Sequence, residues 1–431
     1  MANDQPLHSK PARDGEGKPR WAAAIVLLAM LAATTILSQF FRASTSVIGP
    51  ELIRDLALSP QALGFANGSF FLALLVAQVP VGVAFDRLGP RITVAALSVL
   101  MVAGALLHGL AASSAGLAAA RFLVGLGCAG SFMSSVVLIS RWYPRASWST
   151  VMSWVFALSA IGIVLAGTPL AAASELVGWR RAFIGSSVVA ALVGLLFYVL
   201  VRDRPPGAAP AAAVPGDPLG ARAGLLHILR TPNLLRVLAL FMVAYAAFAT
   251  VQVLWAGPYL NDVHGLGPLE RGNVLLGMAA AQTIGALAVG PLDRVFNTRK
   301  RVAVVAASLS LGTLVALATL PMSLPAAVAC LLLLAASSSY GSILLAHIRS
   351  HFADHLAGRG ATTGNMAQLL GSTLLPMLTG FIPLLLPHAG PGYSPLAYQA
   401  IFATLAIALA IGLAFYLTSR DAKPRGPAFQ P

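Results

Sequence analysis

The chain has 431 residues, of which 58% are hydrophobic and only 10% charged, and it carries a net charge of +14. Soluble domains carry about 25% charged residues. That shortfall and a mean hydropathy of +0.81 exclude a soluble protein and point to a membrane. In a soluble chain the basic surplus would suggest nucleic acid; here its distribution gives it another meaning, and no nucleic-acid partner is expected.

Residues 1–20 read as a polar cytoplasmic tail, without the apolar core and cleavage site of a signal peptide. A run of ~20 apolar residues crosses the hydrocarbon core as a helix. Twelve such runs follow, at 22–48, 61–84, 91–113, 116–139, 148–172, 181–201, 233–259, 269–291, 302–321, 324–347, 361–386 and 395–418. They are continuous rather than alternating, which favours helices over a barrel. The first six lie within 21–202. Residues 203–232, with Pro205, Pro206, Pro210, Pro215 and Pro218, read as a flexible cytoplasmic linker. The second six lie within 233–419, and 420–431 form a C-terminal tail. Cys128 and Cys330 fall within spans and read as apolar packing residues.

Of the 28 lysines and arginines, 22 fall in one alternating set of connecting segments and tails. Such a bias sets orientation and predicts both termini in the cytoplasm of a multi-pass protein of the inner (plasma) membrane, in contact with its lipids.

Between the second and third spans stands a charged elbow, Gly82-x-x-x-Asp86-Arg87-x-Gly89-x-Arg91. The chain also repeats itself. Gly49, Pro50, Leu52, Pro60 and Gly64 return as Gly257, Pro258, Leu260, Pro268 and Gly272, each 208 residues later. Asp55 returns as Asp262, and Asp86-Arg87 as Asp293-Arg294, each 207 residues later. The expected fold is therefore all-α, with twelve transmembrane helices in two pseudo-symmetric six-helix bundles. Repeated bundles of this kind form a substrate site at their interface, near the bilayer midplane.

Over about residues 20–420 the chain resembles the major facilitator superfamily. The elbow matches that family's signature between spans two and three, and Arg121, Gly125 and Gly127 resemble its fourth-span motif. Asp293-Arg294-x-x-Asn297-x-Arg299-Lys300 resembles a degenerate second copy of the elbow. The resemblance implies a transporter working by alternating access, not an enzyme, with no cofactor. It implies gating roles for Asp86, Arg87, Arg91, Asp293 and Arg294. Arg121 is expected to pair across helices, to stabilise the outer gate or to reach the cargo.

Arg42 bears on cargo most directly. It stands in the first span beside Ser38, Gln39, Ser44 and Thr45, with no carboxylate in that span. An ionised arginine in a membrane helix is costly and faces a wet cavity or a partner, and its planar fork suits carboxylate or phosphate. Arg42 lies 21 residues after Trp21, or ~31 Å along a helix, so three readings stand: anion contact, snorkelling at the outer boundary, or an internal structural pair. The segment from Phe41 to Leu52 resembles the first span of carriers for organic and phosphorylated anions, which implies a small organic anion as cargo. Gln39, Gln252, Trp255, Tyr340 and Asn365 are further candidate contacts, as is Tyr245, and opposite Arg42 the repeat offers only Ala249 or Thr250.

Related proton–anion symporters carry an acid just before this arginine, where the chain has Phe41. The coupling partner, a proton or a counter-anion, is thereby left unassigned. His347, His351 and His355 have i, i+4 spacing but read as a helix terminus rather than a metal site. A drug–proton antiporter, suggested weakly by Gly167-Thr168-Pro169, and a transporter-like sensor without flux are the alternatives; the expected state is a monomer.

Overall fold

A computed structural model describes residues 20–143, 147–205, 232–351, 357–386 and 392–423. Hydrocarbon offers backbone groups no water, so each crossing segment must close its own hydrogen-bond ladder. Among the described residues, twelve helices are long and apolar enough to do this. In chain order they are α1 (Ala22–Val47), α2 (Pro60–Arg87), α3 (Pro90–Gly109), α4 (Ser114–Trp142), α5 (Ala157–Val177), α6 (Trp179–Leu200), α7 (Asn233–Asp262), α8 (Pro268–Val295), α9 (Arg299–Thr319), α10 (Leu324–Arg349), α11 (Thr363–Leu385) and α12 (Pro395–Leu417). The runs read from sequence agree within a few residues. The fifth begins nine residues earlier, matching the helical turns that start at Trp148. Most of the linker expected at 203–232, and most of both expected tails, lie outside the described residues.

Local chemistry sets the helix starts. Ser59, Ser113, Thr298 and Ser394 accept a hydrogen bond from the amide three residues on, which satisfies a donor the helix cannot. Pro60, Pro90, Pro268 and Pro395 stand in first turns, where no amide hydrogen is missed. In the α2–α3 elbow, Gly89 takes φ +82°, and a Cβ there would collide with the Asp203 carboxylate. Only glycine fits both demands.

The helices pack as two related sets. α2 lies on α4 as α8 lies on α10; α3 on α6 as α9 on α12; α1 on α5 as α7 on α11. Across the sets, α2 packs on α11 as α8 packs on α5, and α1 meets α7.

Four carboxylates anchor helix ends in the same symmetric way. Asp55 accepts from the Trp179 indole at 2.9 Å, and Asp262 from the Tyr398 hydroxyl at 2.6 Å, each tying the loop after a set's first helix to its last. The Trp179 bond outweighs burial and, with Arg54 and Arg180, holds the Asp55 carboxyl below the usual range. At the opposite end Asp203 accepts from the Arg91 amide (2.8 Å), and Asp421 from the Lys300 and Arg299 amides (2.9 and 3.2 Å). Burial opposes ionisation of Asp421, yet the Thr298 hydroxyl and these amides prevail and lower its pKa.

Twelve crossings return the chain to the side it started from, here the near end. The described contacts joining the two sets gather at the far end. Gly64 lies against the backbone of Pro376 and Gly380 on α11, and its repeat mate Gly272 against Gly167 and Thr168 beside α5. Gly49 meets Pro258, while Gly257 lies on the Ser46 carbonyl; the two repeated Gly-Pro segments thus meet between the sets. At the near end Asp86, Arg87 and Arg294 are exposed. The structure is closed at the far end.

A side chain at Gly64 would strike backbone, which cannot swing aside, and overpacking costs about 1–3 kcal/mol. Gly64→Val is expected to weaken far-end closure by that amount. Spin labels on Arg54 and Leu269, one on each set, should then show a longer distance by pulsed electron resonance; an unchanged distribution would contradict this seam.

Candidate functional site

Arg42 lies on α1 five residues before Val47, or about 8 Å from the helix end. Long helical side chains lean toward the N-terminus, so its head reaches back toward the middle of the bundle. There Nη1 donates to the Tyr245 hydroxyl of α7 at 3.2 Å, across the seam between the two sets. Cζ stands 5.7 Å from the centre of the Phe71 ring. Nε is buried with no hydrogen-bond partner. Of the three readings open to Arg42, the lipid-boundary one does not describe this geometry.

Arg121 on α4 supports the same place from beneath. It is fully buried and donates through Nη1 to the Phe41 carbonyl at 2.6 Å, and through Nη2 to Asn67 Oδ1 at 3.1 Å. Its Cζ lies 4.7 Å from the Phe70 ring centre. It thus grips the backbone of the residue just before Arg42. The ion pairs among the described residues are Arg54–Asp55, Arg180–Asp55, Arg271–Glu51 and Arg299–Asp293. Neither Arg42 nor Arg121 is in any of them. Two guanidinium groups therefore share one region of the interior without a carboxylate, and the electrostatics there favour an anion.

The other expected contacts are placed less uniformly. Gln252 is buried on a π-helical turn, Val251–Trp255, with its amide nitrogen unpartnered; such turns recur at functional sites. Gln39 is half-buried, with its Cβ against Gly162 of the fifth helix rather than toward α7. Trp255 is enclosed: its indole donates to Thr379 at 2.9 Å and its ring packs edge-on to Tyr393 and Tyr398. It holds α7 to α11 and α12 instead of facing the seam. Tyr340 is buried in a 3-10 turn of α10, its hydroxyl unpartnered. Asn365 is half-buried on α11.

The expected gate residues sit at the near end. Asp86 and Arg87 are exposed at the end of α2. Arg91 stays within its own set, donating through Nε to the Tyr198 carbonyl at 2.6 Å and stacking 4.6 Å from the Tyr198 ring centre. Asp293 is buried and pairs with Arg299 at 3.6 Å, while Arg294 is exposed. His347 bonds Tyr416 and the Arg420 carbonyl, and His351 bonds Asn233. His355 lies outside the described residues.

One pairing was missed in the sequence. At the far end Arg271 of α8, 1% exposed, donates to Glu51 Oε1 at 2.6 Å and to Asn261 Oδ1 at 2.8 Å. Glu51 follows the repeated Gly49-Pro50, and Arg271 precedes the repeated Gly272. The repeat therefore marked both neighbourhoods without marking the pair. Thr168 donates to Asn273 at 2.7 Å beside it.

Known proteins resemble the chain in sequence and in fold. The chain is 29% identical over 181 residues to the hexuronate transporter of Escherichia coli (strain K12), covering 41% of this chain and 42% of that protein. It is 30% identical over 181 residues to the "Probable galactarate/D-glucarate transporter GudP" of Bacillus subtilis (strain 168), covering 40% of each. These likenesses span less than half the length of either relative. The crystal structure of a bacterial homolog of the human lysosomal transporter Spinster, inward-facing and unoccupied, superposes with a TM-score of 0.76 at 19% identity, over 93% of this chain and 96% of that one; this is a likeness of fold. The profile of the Major Facilitator Superfamily matches residues 31–376, and the chain belongs to that family.

Proposed function

We propose that the chain is an alternating-access carrier of small organic anions, with hydroxylated carboxylates of sugar-acid type as its cargo. The observation that carries this reading is the Arg42 guanidinium, set on the seam between the two helix sets without a carboxylate partner. A cargo carboxylate on the Nε edge would satisfy the orphaned N–H, while Nη1 keeps Tyr245; paired charged bonds of this kind are short and strong. Arg121 holds the backbone that presents Arg42, and Gln252 supplies a neutral donor for a cargo hydroxyl. Relatives named for hexuronate and for galactarate and D-glucarate support a carboxylate over a phosphate ester. The basic bias of the connecting segments supports an inner-membrane protein with both termini in the cytoplasm, so that the structure is open inward, and the carrier is read as a monomer.

The gates divide by end. Glu51 and Arg271 lock the outside while the cargo site faces the cytoplasm. Asp86, Arg87 and Arg294 are free in that state and close the cytoplasmic end in the opposite one, while Arg91 and Asp293 hold their own sets together. With Phe41 in place of an acid, coupling falls to a counter-anion or to a proton carried elsewhere.

Uptake by proteoliposomes tests the cargo. Wild type should take up labelled galacturonate and glucarate, and glucose negligibly. Arg42→Ala removes a charged hydrogen bond worth about 1.5–3 kcal/mol, so carboxylate uptake should fall about 10- to 150-fold. Arg42→Lys keeps the charge but not the fork and should fall between. Equal transport of neutral sugar by wild type and Arg42→Ala would sink the anion assignment.

The outer lock is tested separately. Glu51→Gln leaves Arg271 buried beside a neutral amide. Breaking one side of a buried pair costs about 3–5 kcal/mol, and the 16% exposure of Glu51 favours the low end of that range. With Cys128 and Cys330 replaced by Ala, a cysteine at Ser46 should react with an impermeant thiol reagent more than tenfold faster in Glu51→Gln. No acceleration would remove this pair from the gate.

A further inference from the structure

At the near end a groove of about 490 Å³ opens on the outer face of the bundle, where α8, α9 and the 3-10 break of α10 meet. Val289, Leu292, Phe296, Val302, Val305 and Leu309 form its walls, and Arg301 stands at its mouth. Its deep end reaches Ser337, whose hydroxyl is already engaged with Ser310 at 2.8 Å, so the floor presents no unsatisfied polar group. From Arg301 to Leu309 is eight residues, or ~12 Å along α9, close to the ~15 Å depth of one leaflet of a ~30 Å core.

The cations near this groove divide into two kinds, and of them Arg301 lines it. Arg299 is paired with Asp293, and Lys300 Nζ is taken by the Leu417 and Ser419 carbonyls at 2.6 and 2.7 Å. Arg294 and Arg301 are exposed, and among the described residues their side chains have no hydrogen-bond or ion-pair partner. An apolar slot of leaflet depth lined at its polar end by the uncommitted Arg301 guanidinium matches an acyl chain bearing an anionic head. A second groove, about 340 Å³, lies at the far end among Gln61, Phe65, Ala115, Met377 and their neighbours, and no cation lines it.

We propose that the α8–α9–α10 groove is a binding site for an anionic phospholipid of the near leaflet, with one acyl chain in the slot and its phosphate held by Arg301. The site is separate from the Arg42 region and does not depend on what the carrier moves.

The full chain, purified in detergent, is melted with added dioleoylphosphatidylglycerol, dioleoylphosphatidylcholine or glycerol 3-phosphate, and followed by tryptophan fluorescence. The anionic lipid should raise Tm by about 3 °C, with the zwitterionic lipid giving less than half of that and glycerol 3-phosphate nothing. Arg301→Gln should erase the preference, and this exposed position leaves the core intact. Ala306→Phe, which fills the slot, should erase it too, whereas Ala115→Phe in the cation-free groove should keep it. Native mass spectrometry should count one retained phosphatidylglycerol fewer in Arg301→Gln. Equal shifts from the two lipids would overturn the proposal. So would a preference that survives Arg301→Gln, or a shift reproduced by glycerol 3-phosphate, which would mean a free-phosphate site.

Discussion

The closed far end depends on backbone meeting backbone. Where Gly64 lies on Pro376 and Gly380, and Gly272 on Gly167 and Thr168, there is no side chain to adjust, so the two helix sets dock in one register. The Glu51–Arg271 pair is formed inside that contact. A buried ion pair adds little net stability, because desolvating both groups nearly cancels their attraction. It is strongly selective, however, since a shift that separates the charges without admitting water leaves both uncompensated. A joint that is specific in register yet nearly neutral in free energy can close firmly and still reopen once water reaches it.

Duplication explains why so much of this was legible in the sequence. The twelve spans followed from apolar length, and the 208-residue offset identified the Gly-Pro segments that meet between the sets. It also paired Asp55 with Asp262, which tie equivalent loops to α6 and α12. The second pair of anchors, Asp203 and Asp421, was not visible, because it stands 218 residues apart and falls out of register with the rest. Their equivalence lies in what they grip, the first amides of α3 and α9. Arg91 and Lys300 complete the match by donating to carbonyls at the ends of α6 and α12, where a helix carries partial negative charge.

The site was legible in residue type but not in depth or direction. Counting rise along α1 places the Arg42 backbone near the far boundary, but the guanidinium leans back and pairs with Tyr245, one turn below the Ala249 that the repeat sets opposite. Gln252 stands seven residues from Tyr245, nearly the same face of a regular helix. The π-turn at Val251–Trp255 then changes the register, and no periodicity argument tells which way Trp255 points beyond it. The sequence offers Trp255 as a candidate cargo contact, whereas its indole bond to Thr379 makes it part of the α7–α11 joint.

On the proposed reading, charge balance connects the site to the cycle. With one end open, water solvates Arg42; when both ends close, that water is lost and an unpaired guanidinium costs several kcal/mol. The Tyr245 hydroxyl returns about 1.5–3 kcal/mol as a bond to a charged group, which leaves a deficit. A carboxylate on the Nε edge removes it. The empty site therefore resists occlusion more than the loaded one does, and cargo itself lowers the barrier to reorientation. A carrier with Phe41 in place of a titratable acid has in this difference a physical basis for exchanging one anion for another.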